Sequence, residues 1–163
     1  MDDINQLAEQ KDIDNFLEAI RLETDPVMLI LRAHLYSENL LERFLIANLP
    51  RGDKIIENGS NFSYSQKLLL VDSFNTVSDS IITALRNLNR IRNQCAHELD
   101  KKISSTDINK LGSSLGKTFT ELKRKAEFQD LALLHALIAF ICGYLTGQCH
   151  SMEHPESNEE KNT

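Results

Sequence analysis

The 163-residue chain has no tryptophan, and aromatic residues of all kinds make up only 6% of it. Broad binding of single-stranded nucleic acid relies on aromatic platforms for base stacking, so this composition argues against it. Positive charge is also short. Lys and Arg number 18 against 24 Asp and Glu, a formal net charge of −6. A strongly basic chain attracts polyphosphates non-specifically, and this one does not, although an acidic total leaves room for a local basic patch.

Cysteine is limited to Cys95, Cys142 and Cys149. The count is odd, and two of the three sit in apolar or helical patterns. That reads as reduced thiols in a cytoplasmic protein rather than a disulfide framework. The first residues, MDDINQLAEQ, are acidic and polar, unlike a signal peptide. The longest apolar run, LALLHALIAFICGYL at 131–145, falls short of the ~20 residues of a membrane span and is interrupted by His135. It reads as a buried core helix, with no membrane partner.

Strand-like alternation is nearly missing, and the few glycines and prolines stand at breaks. What remains is helix. A chain of this length fits one domain and buries roughly 68–70% of its unfolded surface. A short amphipathic stretch surrounds IDNFLEAIRL. Asp25 and Pro26 then give an N-cap and a first helical residue. The periodic pattern from Pro26 to Leu49 is stopped by Pro50. Residues 50–62 read as a loop, and SYSQKLLLVDSF as a short helix. A longer helix covers Val77 to His97, and ELDKKISST connects it to the next. Ser105 or Thr106 can cap that next helix, which runs to about Lys125 and is weakened by Gly112 and Gly116. The last helix spans about Glu127 to His150. The expectation is an all-α, compact bundle of about five helices over residues 1–150, with 151–163 a disordered polar tail. Along the last helix Ala132, Ala136, Ala139, Gly143 and Gly147 share a face, read first as close packing within the bundle and second as a self-association surface.

Three motif-like stretches carry little chemistry. GSSLGKT, 112–118, has three residues between its glycines where a P-loop needs four, and no strand precedes it. It reads as a helix with two glycines. Cys149, His150 and His154 lack the second ligand cluster of a zinc site, so no metal is expected. His34, Glu38 and Glu42 are spaced by four and share a helix face. An imidazole and a carboxylate there are able to do acid–base chemistry. The reading preferred is a solvated face, with Glu38 kept as a supporting residue.

RIRNQCAHE, 90–98, is different. At ~100° per residue, Val77, Ile81, Ala84, Leu85, Leu88, Ile91 and Cys95 form one apolar face. Arg86, Arg90, Asn93 and His97 form a second stripe that is basic and amide-rich in an acidic chain. Arg92 falls ~40° from the centre of the apolar face, a costly place for a charge unless it is paired or at an interface. A snorkelling structural arginine is the plain alternative. A guanidinium offers a fixed fork of donors to phosphate oxygens, an imidazole exchanges protons near neutral pH, and an amide can orient either.

RNQCAH, Arg92 to His97, matches the arginine–polar–three–histidine motif of HEPN domains (higher eukaryotes and prokaryotes nucleotide-binding). With LRAHLYSENLLERFL, FSYSQKLLL and LNRIRNQCAHE, the chain resembles small bacterial HEPN-like proteins over roughly residues 26–150. The resemblance implies a HEPN-like helical bundle and a homodimer whose two motifs face each other. It implies a metal-independent endoribonuclease with no cofactor, acting on RNA to leave 2′,3′-cyclic phosphate and 5′-hydroxyl ends. Arg92 is then the residue on the scissile phosphate, His97 the proton-transfer group and Asn93 the orienting amide, with Arg90 and Glu38 supporting. It implies a toxin or a stress or phage-defence effector with an antitoxin or regulatory protein as partner. The alternative is a non-catalytic regulatory module that binds a protein or a nucleotide.

Overall fold

A computed structural model describes residues 2–57 and 62–153. Among these the regular structure is all helix, without strands: α1 (Asp2–Arg21), α2 (Pro26–Asn48), α3 (Gly52–Glu57), α4 (Tyr64–Ser73), α5 (Asp79–His97), α6 (Ser105–Gly112), α7 (Lys117–Lys125) and α8 (Asp130–Glu153). The all-α class is as expected. The number of helices is larger than about five, because three short ones fall where the sequence reads as loop or as one long helix. The expected loop at 50–62 contains α3. The expected helix up to Lys125 is two helices joined by a 3-10 turn at Ser113–Leu115.

The glycines explain that break. Gly112 closes α6 under the Phe119 ring, where an added Cβ would stand 2.4 Å from the ring's Cδ2. Gly116 has φ +57° and ψ −120°, a backbone that L side chains rarely adopt, and it starts α7. GSSLGKT is thus a helix–turn–helix joint, not a phosphate cradle.

Local signals set most of the other ends. The Asp25 carboxylate accepts from the Val27 N–H at 2.8 Å, and Pro26 opens α2. Ser63 and Gln66 form a reciprocal capping box on α4. The cap of α6 is Ser104, one residue before the positions expected, because Asp107 completes a capping box with it. Glu127 and Phe128, at φ 51° and 60°, separate α7 from α8, so α8 begins at Asp130 rather than Glu127. It continues through Glu153, and residues 154–163 of the expected tail lie outside the described residues.

α2 and α8 form the central pair, and α2 also lies against α4 and α5. Leu29, Ile30, Leu40, Leu41, Phe44 and Leu45 of α2 are fully buried, as are Leu134, Leu137 and Leu145 of α8. Each such side chain contributes about 1.5–3 kcal/mol of transfer free energy. α8 is longer than the apolar run suggests. At 24 residues, with a mean hydropathy of 1.6 over its most apolar 18, it is long and apolar enough to cross a membrane, while its leucine face is part of this core.

The small residues of α8 lie elsewhere. Ala132, Ala136 and Ala139 line an open groove of about 780 Å³ with Leu17 and Ile20 of α1. A Cβ added at Gly143 or Gly147 would meet nothing within 4 Å. Ala139 packs partly against the core, so the stripe is half-buried beside α1 of the same bundle, with Gly147 exposed at its end.

Candidate functional site

α5 carries the site because its two faces have opposite jobs. Val77, just before the helix, and Ile81, Ala84, Leu85, Leu88 and Ile91 are buried as the apolar stripe requires, and Cys95 packs partly against the same core. The opposite stripe looks outward. Arg90, Asn93 and His97 are exposed. With Arg86 they line one cleft of about 640 Å³, closed on its other side by Ser65, Leu68 and Leu69 of α4.

Arg92 is half-buried, where the wheel puts it, and it opens onto a second pocket. That pocket, about 250 Å³, is lined by His34 and Glu38 of α2, Tyr64 and Ser65 of α4, and Asn89 and Asn93 of α5. Ser65, Asn89 and Asn93 belong to both spaces and form the wall between them. Arg92 donates from Nη1 to Asn93 Oδ1 at 3.3 Å. Among the described residues no carboxylate pairs with Arg92 or Arg90. His97, the last residue of α5, lines the larger cleft, and Arg92 lines the smaller pocket beside it.

The face of α2 that reads as solvated is covered. α4 lies across it, and His34 is only 7% exposed. Its ring stacks on Tyr64 with centroids 4.2 Å apart. His34 Nε2 donates to Asn89 Oδ1 at 3.0 Å, and Asn89 Nδ2 donates to Ser65 Oγ at 3.0 Å. Burial lowers the His34 pKa. The Asn89 bond and the Glu38 charge work against that, and Arg92 and Lys67 add to it. At neutral pH the imidazole is therefore neutral. Tyr64 is buried deeply enough that its phenol is pushed well above its ordinary value, and Ser37 Oγ meets its hydroxyl at 2.9 Å.

Lys67 ties the two helices together. Its Nζ donates to Glu38 Oε1 at 2.8 Å and also to Glu42 Oε1. The lysine side chain is 9% exposed and the two carboxylates 27%. A buried ammonium between two half-buried carboxylates is satisfied, whereas either partner alone would be costly. Arg86 is held too, by Asp72 at 2.6 Å.

The sequence reading names Arg92, Asn93, His97, Arg90 and Glu38, and the fold brings all five to two adjoining pockets. It missed Asn89, Ser65 and Lys67. Two carboxylates one turn apart were the available signal for a lysine partner, but nothing local said which of the chain's cations would arrive. Among the described residues no group of three or more His, Cys, Asp or Glu side chains is placed to hold a metal ion. Cys149 is buried with its thiol directed at the Leu40 carbonyl, 3.2 Å away, and His154 lies outside the described residues.

Compared with protein-family models, curated proteins and solved structures, the chain matches none.

Proposed function

We propose that the protein is a metal-independent endoribonuclease of the HEPN type, working as a homodimer in the cytoplasm as a toxin or a stress or phage-defence effector. One observation carries this reading. Arg92, Asn93 and His97 all reach solvent-accessible space around one wall of amides and a hydroxyl, and no carboxylate among the described residues claims Arg92.

The chemistry follows from that wall. A phosphodiester laid across Asn93 meets the Arg92 guanidinium on one side and the Arg90 and His97 cleft on the other. Attack of the ribose 2′-oxygen on phosphorus forms the cyclic ester and breaks the bond to the 5′-oxygen. One imidazole takes the 2′-hydroxyl proton and a protonated imidazole supplies one to the leaving oxygen. Arg92 stabilises the charge that grows on the non-bridging oxygens. Arg92 and His97 line neighbouring pockets that share the Asn93 wall, and in the homodimer a second copy facing the first brings its own Arg92 and His97 to that wall. Three free cysteines, two of them buried, agree with a reducing compartment.

The same separation of Arg92 from His97 favours one other reading, a non-catalytic module whose pockets hold a nucleotide or a protein partner. The deciding experiment is cleavage of total tRNA and mRNA in EDTA by the parent, Arg92→Ala and His97→Ala proteins. Cleavage by the parent alone, with cyclic phosphate ends, supports the nuclease. A folded dimer that cuts nothing supports the binding module, with an antitoxin or regulator as the partner to seek.

A further inference from the structure

The small pocket under Arg92 has an unusual charge balance. Glu38 and Arg92 line it, one carboxylate against one cation, and Glu38 also shares the Lys67 ammonium with Glu42. With neutral His34 the set has no net charge, so it offers an anion little beyond the local pull of Arg92. Protonating His34 changes the sign. The pocket then carries a net positive charge, with an imidazolium and a guanidinium lining the same 250 Å³ space.

We infer that His34 is a second, proton-controlled cation of the anion site at Arg92, so that the pocket takes up one proton when it takes a phosphodiester. This rests on the reading that Arg92 meets a phosphate of RNA, and it adds to that reading a residue outside the motif. Four features carry it. His34 lines the pocket although it is nearly buried. Its Nε2 already donates to Asn89, so the ring is held against the wall that both pockets share. The Tyr64 ring stacked on it and the Ser37 hydroxyl beyond bring no charge at neutral pH. The charged groups that act on it are Arg92 from α5, Glu38 from its own helix and Lys67 from α4, two cations against one carboxylate, so an anion at Arg92 adds the negative charge that the set lacks. An arriving phosphodiester brings negative charge beside Arg92 and favours the imidazolium, and by linkage the proton strengthens the hold on the anion.

The probe is a 2′-O-methyl oligouridylate, which cannot be cleaved and whose phosphodiesters and bases do not titrate between about pH 5 and 8. Histidine resonances of the full-length protein are followed by NMR across that range, with and without the probe, and its affinity is measured in parallel. The expected result is a rise in the His34 pKa on binding, absent in Arg92→Ala. Affinity should climb as pH falls, by up to about tenfold per pH unit, as one linked proton requires. His34→Gln should flatten that slope while retaining weak binding. The parent's own imidazole signals decide the matter even if that variant folds poorly. Binding with an unmoved His34, or proton uptake reported by His97 alone, overturns the inference and leaves the nuclease reading standing. Failure of the parent to bind the probe at any pH overturns the inference, and failure to cleave RNA as well overturns the nuclease reading with it.

Discussion

Arg92 and His97 lie five residues apart on one helix and open onto different pockets, and the Asn93 side chain stands in both of them. A motif that reads as a single constellation in the sequence is therefore split by the helix surface. In the proposed homodimer the two ends act on one phosphate across two copies, and mixing variants tests this. Arg92→Ala and His97→Ala should each lower cleavage by about 100-fold or more. A heterodimer of the two retains one intact composite site, so co-refolded variants should recover a substantial part of the parent rate. Recovery no greater than the sum of the separate variants would show that each chain works alone.

Neither of those substitutions should harm the fold. His97 is exposed and Arg92 half-exposed, with Asn93 the one side chain it bonds to among the described residues. Each should change stability by about 0.5 kcal/mol or less in urea denaturation. A larger loss would mark Arg92 as a structural residue and weaken the case for its phosphate role.

Lys67 is the opposite case. Lys67→Met leaves Glu38 and Glu42 facing each other under α4 without their cation. Stability should fall by about 1–3 kcal/mol, less than for a fully buried pair because water still reaches both carboxylates. The Glu38 carboxylate that lines the pocket under Arg92 also loses its ammonium partner. Binding of a phosphodiester should weaken in the same variant, which a merely structural lysine would not predict once the folded fraction is corrected for.

Acid should destabilise the fold through two identifiable groups. Burial pushes the Asp107 carboxyl up, but bonds from the Ser104 N–H, Lys101 and the Ser104 hydroxyl outweigh it and hold the group below its ordinary value. A depressed carboxyl stabilises the fold above its unfolded value and loses that contribution as pH drops through the folded one. The loss falls below about pH 4. His34 is lowered as well, chiefly by burial, so the unfolded chain takes its proton first and stability declines as pH falls below about 6.5. Thermal melts should show two steps of weakening. Asp107→Asn should remove the lower step, with a loss of about 1 kcal/mol at neutral pH from the weakened cap.

The joint between α6 and α7 makes a third stability test. Gly112→Ala places a Cβ 2.4 Å from the Phe119 ring and 2.9 Å from Leu137 Cδ2. Overpacking of that kind costs about 1–3 kcal/mol. Gly116→Ala meets no neighbour within 4 Å, and its cost comes from the backbone at φ +57°, about 1–3 kcal/mol. Calorimetry on the pair separates a steric penalty from a conformational one, because Phe119→Leu should relieve only the first.

Much of this was legible along the chain. Asp25–Pro26, the α5 stripe from Val77 to Cys95 and the outward row Arg86, Arg90, Asn93 and His97 depend on spacing of 3.6 residues per turn and on capping chemistry. These are local forces, acting within a helix or across one turn, so sequence order carries them. Arg92's place at the edge of the apolar face belongs to the same class. The partners of that face do not. His34 and Asn89 are 55 residues apart, and Lys67 lies 29 residues from Glu38. Their meeting depends on how α4 crosses α2, which the packing of many buried side chains decides together and no single spacing encodes. The same cooperative packing set Ala132, Ala136 and Ala139 along a groove beside α1 and put Arg92 and His97 in neighbouring pockets. The sequence by itself determined an all-helical chain with a basic, amide-rich stripe on one helix. Only the tertiary structure decided which histidine, carboxylate and lysine surround Arg92, because desolvation and charge balance at a site are properties of what packs around it.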